Sequence, residues 1–132
     1  MAEVKAVNPW TWQDQFGFSQ AMDVRGAQRV LYCAGQTSTD ADGNPLHLGD
    51  FSKQMLQAID NLEAVLKQAG LKLSNVVRLN YYVTDIDAFM AAAGDFGPRL
   101  HAAQCKPAST LLKVKALFHP DILVEIEATA VQ

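Results

Sequence analysis

The sequence predicts an α+β domain of two layers, a mixed sheet with two helices on one of its faces. Three observations carry that expectation. Two stretches with helical periodicity, 50–70 and 85–103, flank a run with period-two alternation at 76–83. Two further strand-like runs precede the first helix and two follow the second, so the order reads ββαβαββ. Strands joined through helices can run parallel while hairpins run antiparallel, which makes the sheet mixed.

The elements follow in order. "FGFSQAMDV" and "QRVLYCAGQ" are apolar-rich runs separated by Arg25-Gly26-Ala27, and are expected to pair as a hairpin. "TDADGNPLHLG" carries turn chemistry at Asp42-Gly43 and Asn44-Pro45 and reads as a loop. "DFSKQMLQAIDNLEAVLKQAG" places Phe51, Met55, Ile59, Leu62 and Leu66 on one helical stripe, with Asp50 as N-cap and Gly70 as stop. "NVVRLNYYVTD" alternates Val77, Leu79, Tyr81 and Val83 against Arg78, Asn80 and Tyr82. A second helix is expected from Asp85 or Asp87 to about Ala103, with Phe89, Ala92, Phe96 and Leu100 on its apolar side and a kink or split at Pro98.

The final stretch, "CKPASTLLKVKALFHPDILVEIEATAVQ", reads as a hairpin turning near His119-Pro120. That register opposes Lys115 to Glu125 and Lys113 to Glu127, with Ser109 on the same face. Leu112, Val114 and Ala116 then join Val124, Ile126 and Ala128 on the helix side. Leu111, Leu117, Leu123 and Val131 fall among the charges, and such a mixture suits a subunit interface. From the pattern alone the two glutamates are either cross-strand ion pairs or members of a site.

Length and composition bound the function. At 132 residues, 49% of them hydrophobic, the chain is expected to be a single domain over 1–132 with a true core and an N-terminal arm over 1–14. Its 14 acidic and 11 basic residues argue against a nucleic-acid partner. The opening "MAEVKAVNPW" lacks the apolar core of a secretory signal, and no stretch is long and apolar enough for a membrane span. The expectation is a cytoplasmic protein with no membrane partner. Cys33 and Cys105 make no disulfide framework, and His47, His101 and His119 are too scattered for a zinc site, so no metal is expected. Trp10 and Trp12, two apart, share one side of an extended arm, where they either wall a ligand cleft or pin the arm to a neighbouring subunit.

Gly35-Gln36, "QAIDNLEAVLKQAG", "VVRLNYYVTDIDAF", "KPAS" and "VEIEATA" occur together in this order. In that ordered set the chain resembles the YjgF/YER057c/UK114, or Rid (reactive intermediate deaminase), family from about Gln15 to Val131. The resemblance implies a homotrimer whose sheets form a central barrel, with clefts between subunits. Characterised members hydrolyse 2-imines and 2-enamines to 2-keto acids and ammonia without metal or organic cofactor; some are described as ribonucleases or translation inhibitors. The family's glutamate, which orients the attacking water, matches Glu125, the expected catalytic residue. Gly35 matches the position whose backbone approaches ligand, and Phe18 stands where a tyrosine is usual.

One position departs sharply. The usual Pro-Ala-Arg-Ser is here Pro107-Ala108-Ser109-Thr110, so Ser109 replaces the arginine that grips a substrate carboxylate. A guanidinium meets a carboxylate through two parallel charge-assisted bonds, each worth about 1.5–3 kcal/mol. Lys113 is roughly 13 Å along the strand and cannot fill that gap. Arg78 and Arg99 remain, either as cations reaching a cleft across a subunit boundary or as plain surface residues. Ser109 and Thr110 would bind a neutral or hydroxylated small molecule. The expectation is a Rid-like binder of a small metabolite, either a diverged imine or enamine hydrolase weak on 2-imino acids or a non-catalytic binding trimer. Ribonuclease action has the least support.

Overall fold

The computed structural model describes residues 2–132. Its strands are β1 (Glu3–Val7), β2 (Ala21–Arg25), β3 (Val30–Thr37), β4 (Val76–Val83), β5 (Ala108–Lys113) and β6 (Val124–Val131). Its helices are α1 (Phe51–Gln68) and α2 (Ile86–Ala102), and a short 3-10 turn spans Trp12–Phe16. The fold is α+β, with a four-stranded mixed sheet ordered β3-β6-β4-β5 and a separate two-stranded sheet, β1-β2.

Both helices begin where a carboxylate caps them. Asp50 accepts from the Lys53 N–H at 3.0 Å and Asp85 from the Ala88 N–H at 3.1 Å. Met55, Ala58, Ile59, Leu62 and Leu66 of α1 are fully buried against Leu79, Val83, Val124, Ile126 and Ala130 of the sheet. Each large apolar side chain so removed from water contributes about 1.5–3 kcal/mol. α2 runs unbroken through Pro98, against the expected split. Ala92 and Phe96 before the proline and Leu100 after it are buried on one stripe, and this packing keeps the helix continuous despite the hydrogen bond that proline cannot donate.

Strand pairing departs from the sequence reading in two places. β2 pairs with β1, which lies in the expected N-terminal arm, and not with β3. Chain ends decide this: the backbone N–H groups of Gln28 and Arg29 both donate to Gln132 O, which carries β3 onto β6. The expected hairpin of the last two strands is also absent. β4 lies between them, pairing parallel with β5 and antiparallel with β6. The α2 crossover delivers β5 alongside β4, and residues 114–123 then carry the chain back to β6. No Lys113 or Lys115 ion pair with Glu125 or Glu127 exists among the described residues.

The new register also turns β5 over. Leu79 pairs with Ser109 and Tyr81 with Leu111, so these two β5 residues share the helix side. Thr110 pairs with Asn80 and Leu112 with Tyr82, on the open face. Leu112 is half exposed there, where it was expected to be core.

Candidate functional site

The open face of the four-stranded sheet is built by residues that the core cannot use. In β4 the buried Leu79, Tyr81 and Val83 alternate with Asn80 and Tyr82; in β6 Val124, Ile126 and Ala128 alternate with Glu125, Glu127 and Thr129. β3 crosses this face with a bulge between Cys33 and Gln36, which sets Gly35 against β6. There Gly35 has no φ demand; what it needs is the absence of a side chain. A Cβ on it would overlap the Glu125 carboxylate and lie 2.6 Å from Cδ. Glu125 therefore rests in a slot that only glycine leaves open.

The two glutamates sit in opposite electrostatic surroundings. Burial, and then the charge of Glu127, push the Glu125 carboxyl above its ordinary range. Glu127 is held below its ordinary range by the Tyr82 hydroxyl, which donates to it, and by the Asn80 amide, which donates at 3.2 Å. The Asn80 Oδ1 is buried with no donor among the described residues. Two neighbouring carboxyls with pKa values driven apart make one an acceptor of charge and the other a carrier of protons. Glu125 is the one suited to exchange a proton.

Ser109 and Phe18 belong to a different neighbourhood. The Ser19 N–H donates to Pro107 O at 2.9 Å, its hydroxyl donates to Lys106 O at 2.7 Å, and Ser19 forms a parallel bridge with Ala108. That parallel bridge sets the Phe18 backbone near Pro107 and the Gln20 backbone near Ser109. Ser109 itself makes only a long contact, Oγ to Pro107 O at 3.4 Å. Within one chain it lies on the far side of the sheet from Glu125, two strands and three residues away, on the order of 14 Å. Of the expected site residues the chain joins Glu125 with Gly35, and it brings the Phe18 segment to the start of the Ser109 strand through the Ser19–Ala108 bridge. Thr110 shares the open face with the glutamates, in the row of Asn80 and Glu127.

Other candidates are resolved by their contacts. Arg99 is committed to the helix layer: it pairs with Asp60 at 2.6 Å and with Glu63, and donates to Leu56 O at 3.2 Å. Cys105 is buried and its thiol is pushed up to about 12 by that burial; burial raises Cys33 as well. Burial thus disfavours the reactive thiolate at both positions. Among the described residues no group of three or more His, Cys, Asp or Glu side chains could hold a metal ion. A surface groove of about 540 Å³ between the end of α1 and residues 70–73 contains none of the expected site residues. The Tyr82–Glu127–Asn80 network and the buried Gln13 were not singled out from the sequence. Alternation placed Tyr82 and Asn80 on the polar face, but only the β4–β6 register sets them against Glu127.

Comparison with known proteins gives this geometry its context. Residues 13–132 match the sequence profile of the family described as endoribonuclease L-PSP. The chain belongs to the Rid family. It is 34% identical over 115 residues to a RutC family protein of Aquifex aeolicus, covering 87% of this chain and 88% of that one. It is 32% identical over 115 residues to the mouse 2-iminobutanoate/2-iminopropanoate deaminase, covering 87% and 81%. The solved structure of the Rid protein YyfB of Yersinia pestis, of unknown function by its description, superposes with a TM-score of 0.86 at 34% identity, covering 98% of each chain. Among the described residues no helix of this Rid protein is long and apolar enough to cross a membrane.

Proposed function

We propose that this protein is a homotrimer that binds a small metabolite in the clefts between its subunits, as a cytoplasmic, diverged and cofactor-free hydrolase of imine- or enamine-like molecules. The observation that carries this reading is the seating of Glu125. Its half-buried carboxyl lies against the Gly35 backbone on the open sheet face, while Ser109 and Phe18 lie beyond the other side of the sheet. A site that uses both groups has to draw them from two copies of the chain. The half-exposed Leu112 and the exposed Tyr32, set among Glu125, Glu127 and Thr129, suit a face that another copy covers. The deaminase name of the mouse relative supports the reaction class.

In that reaction Glu125 orients a water beside the imine carbon and accepts its proton as the oxygen attacks. The C=N electron pair moves to nitrogen, which takes the proton back from Glu125. The carbinolamine then collapses: Glu125 takes the remaining O–H proton as the carbonyl forms and passes it to nitrogen, the C–N bond breaks with its electron pair going to nitrogen, and ammonia leaves. The raised affinity of Glu125 for a proton serves both directions of that transfer. Ser109 supplies no charge for a carboxylate, so 2-imino acids are poor substrates here.

A second reading is favoured by the same serine. In that reading the cleft, without a cation at position 109, holds a metabolite and performs no chemistry on it, as a binding or regulatory trimer. Ribonuclease action finds no stripe of basic residues to support it in a chain of net charge -3.

The experiment pairs solution mass with ammonia release from freshly generated 2-aminoacrylate. A trimer with a rate far below that of arginine-bearing relatives is expected; a monomer removes the cleft, and a full rate removes the role given to Ser109. Glu125→Ala separates the two readings: a hydrolase loses turnover on its true substrate, and a binder changes only affinity or assembly.

A further inference from the structure

β4 and β6 place polar side chains on the open face in two rows. Tyr82 lies directly opposite Glu125, and Asn80 directly opposite Glu127. Opposite residues hold their Cβ atoms about 4.5–5.5 Å apart and diagonal neighbours stand about 7–8 Å apart, still within reach of a long side chain. Tyr82 does not bond to the carboxyl opposite it. Its hydroxyl crosses the diagonal and donates to Glu127 Oε1, which also accepts from Asn80 Nδ2 at 3.2 Å. One carboxylate oxygen thus takes a donor from each row.

Glu125 is left with neither. Burial and the charge of Glu127 act on its carboxyl, and no hydrogen bond among the described residues does. On its other flank β3 offers Gly35, whose missing side chain leaves room for it, and Thr37, which pairs with it in register. The charged and titratable groups that the strands bring to this face are Arg78 and Tyr82 from β4, Glu127 from β6 and Tyr32, opposite Thr129, from β3. β5 brings Thr110 and Leu112, while Lys113 pairs with Val83 and falls on the other side of the sheet. The Arg78 charge favours the ionised Glu127.

We propose that Glu127 is the positioning residue for Glu125: it draws the Tyr82 hydroxyl away from the carboxyl opposite and fixes a negative charge two residues along the same strand face. Glu125 is thereby kept without a donor and beside a like charge, free to take a proton from water and return it. A donor on Glu125 would favour its charged form, and so would loss of the neighbouring charge; each would make it a poorer proton acceptor. Tyr82 is the group that changes sides. With Glu127 neutral, the carboxylate left within its reach is the one directly opposite. The inference rests on the hydrolase reading above and names what keeps its proton carrier poised.

Carbon-13 NMR titration of the glutamate carboxyls in the full chain tests it, with Glu125 assigned by its loss in Glu125→Gln. Glu127→Gln, which keeps the side chain's shape, should lower the Glu125 midpoint by about half a pH unit or more. Adding Tyr82→Phe to that variant should restore part of the shift, since the released hydroxyl is then gone. Tyr82→Phe alone should raise the Glu127 midpoint and bring the two carboxyls closer together. The acid limb of kcat/KM for the slow hydrolysis of 2-aminoacrylate should follow the Glu125 midpoint in each variant, while the melting temperature moves little. A Glu125 midpoint that stays put in Glu127→Gln, or an acid limb that ignores it, overturns the positioning role and leaves the hydrolase reading intact. Equal midpoints in Glu127→Gln with and without Tyr82→Phe overturn the part given to Tyr82. A shifted midpoint without hydrolysis above the uncatalysed rate supports the coupling of the two carboxyls and goes against the hydrolase reading, so the two failures are distinct.

Discussion

Gln54 and Gln13 are both fully buried glutamines, and they are opposites. Gln54, on α1, spends every polar atom: Nε2 donates to Asp121 O at 2.8 Å and His47 O at 3.3 Å, and Oε1 accepts from the Leu123 N–H at 2.9 Å. It ties the loop before α1 and the connection before β6 to one helix. Gln13 has a single long partner and an idle donor. A buried amide that is satisfied specifies a fold; one that is not costs about 1–3 kcal/mol until an acceptor arrives. The same contrast runs through the two carboxyls of β6. Glu127 is held by Tyr82 and Asn80, whereas Glu125 leans on a glycine and keeps its proton chemistry open.

Substitutions can break that contrast. The largest effect on stability is expected from Gln54→Leu, which strands two backbone carbonyls and one N–H in the interior. It should cost about 2–4 kcal/mol in a denaturant titration, and a loss under 1 kcal/mol would show the loop anchored elsewhere. Gly35→Ala should do the reverse. The overlapped atoms belong to a side chain that can swing away, so the melting temperature should fall little while turnover or ligand affinity falls strongly, on the order of 100-fold. Equal losses in both would make Gly35 a structural residue.

Gln13→Leu removes an unmet donor at the loss of one long contact and should raise stability by about 1–3 kcal/mol in a denaturant titration. A large destabilisation would mean that Gln13 is already paired in the assembly. The smallest effect is expected from Glu127→Gln. The folded pKa of Glu127 is depressed, so its contribution is present above the ordinary value of 4.5 and lost as pH falls through the folded value. After screening it is worth no more than about 1 kcal/mol, so parent and variant melts should differ slightly at pH 7 and converge in acid. Glu125 has the opposite sign. Its raised pKa favours the folded state below 4.5, and that advantage is lost as pH rises through the folded value. A Glu125→Gln variant should therefore be at least as stable as the parent at neutral pH.

Much of this molecule was legible from its residues. Asp50 caps the helix it was expected to cap, Asp85 caps a helix expected to begin at Asp85 or Asp87, and the stripe from Met55 to Leu66 is buried as its spacing requires. The alternation of Val124, Ile126 and Ala128 with Glu125 and Glu127 gave the correct two faces of β6. The faces of β5 came out inverted, because they had been inferred from a hairpin that does not form. Ser109 was grouped with Glu125 for the same reason.

What the sequence determined by itself is local: where each helix starts, which strands alternate, and that position 109 carries a hydroxyl in place of a guanidinium. Periodicity and capping are written within a few residues of one another, so they need no partner to be read. The tertiary structure alone decided which strand lies beside which, and with that the meeting of Glu125 with Gly35, of Tyr82 with Glu127, and of Phe18 with the Ser109 strand. Any strand offers the same N–H and C=O groups to any neighbour, and only the crossover of α2, the β3 bulge and the ends of the chain choose among them.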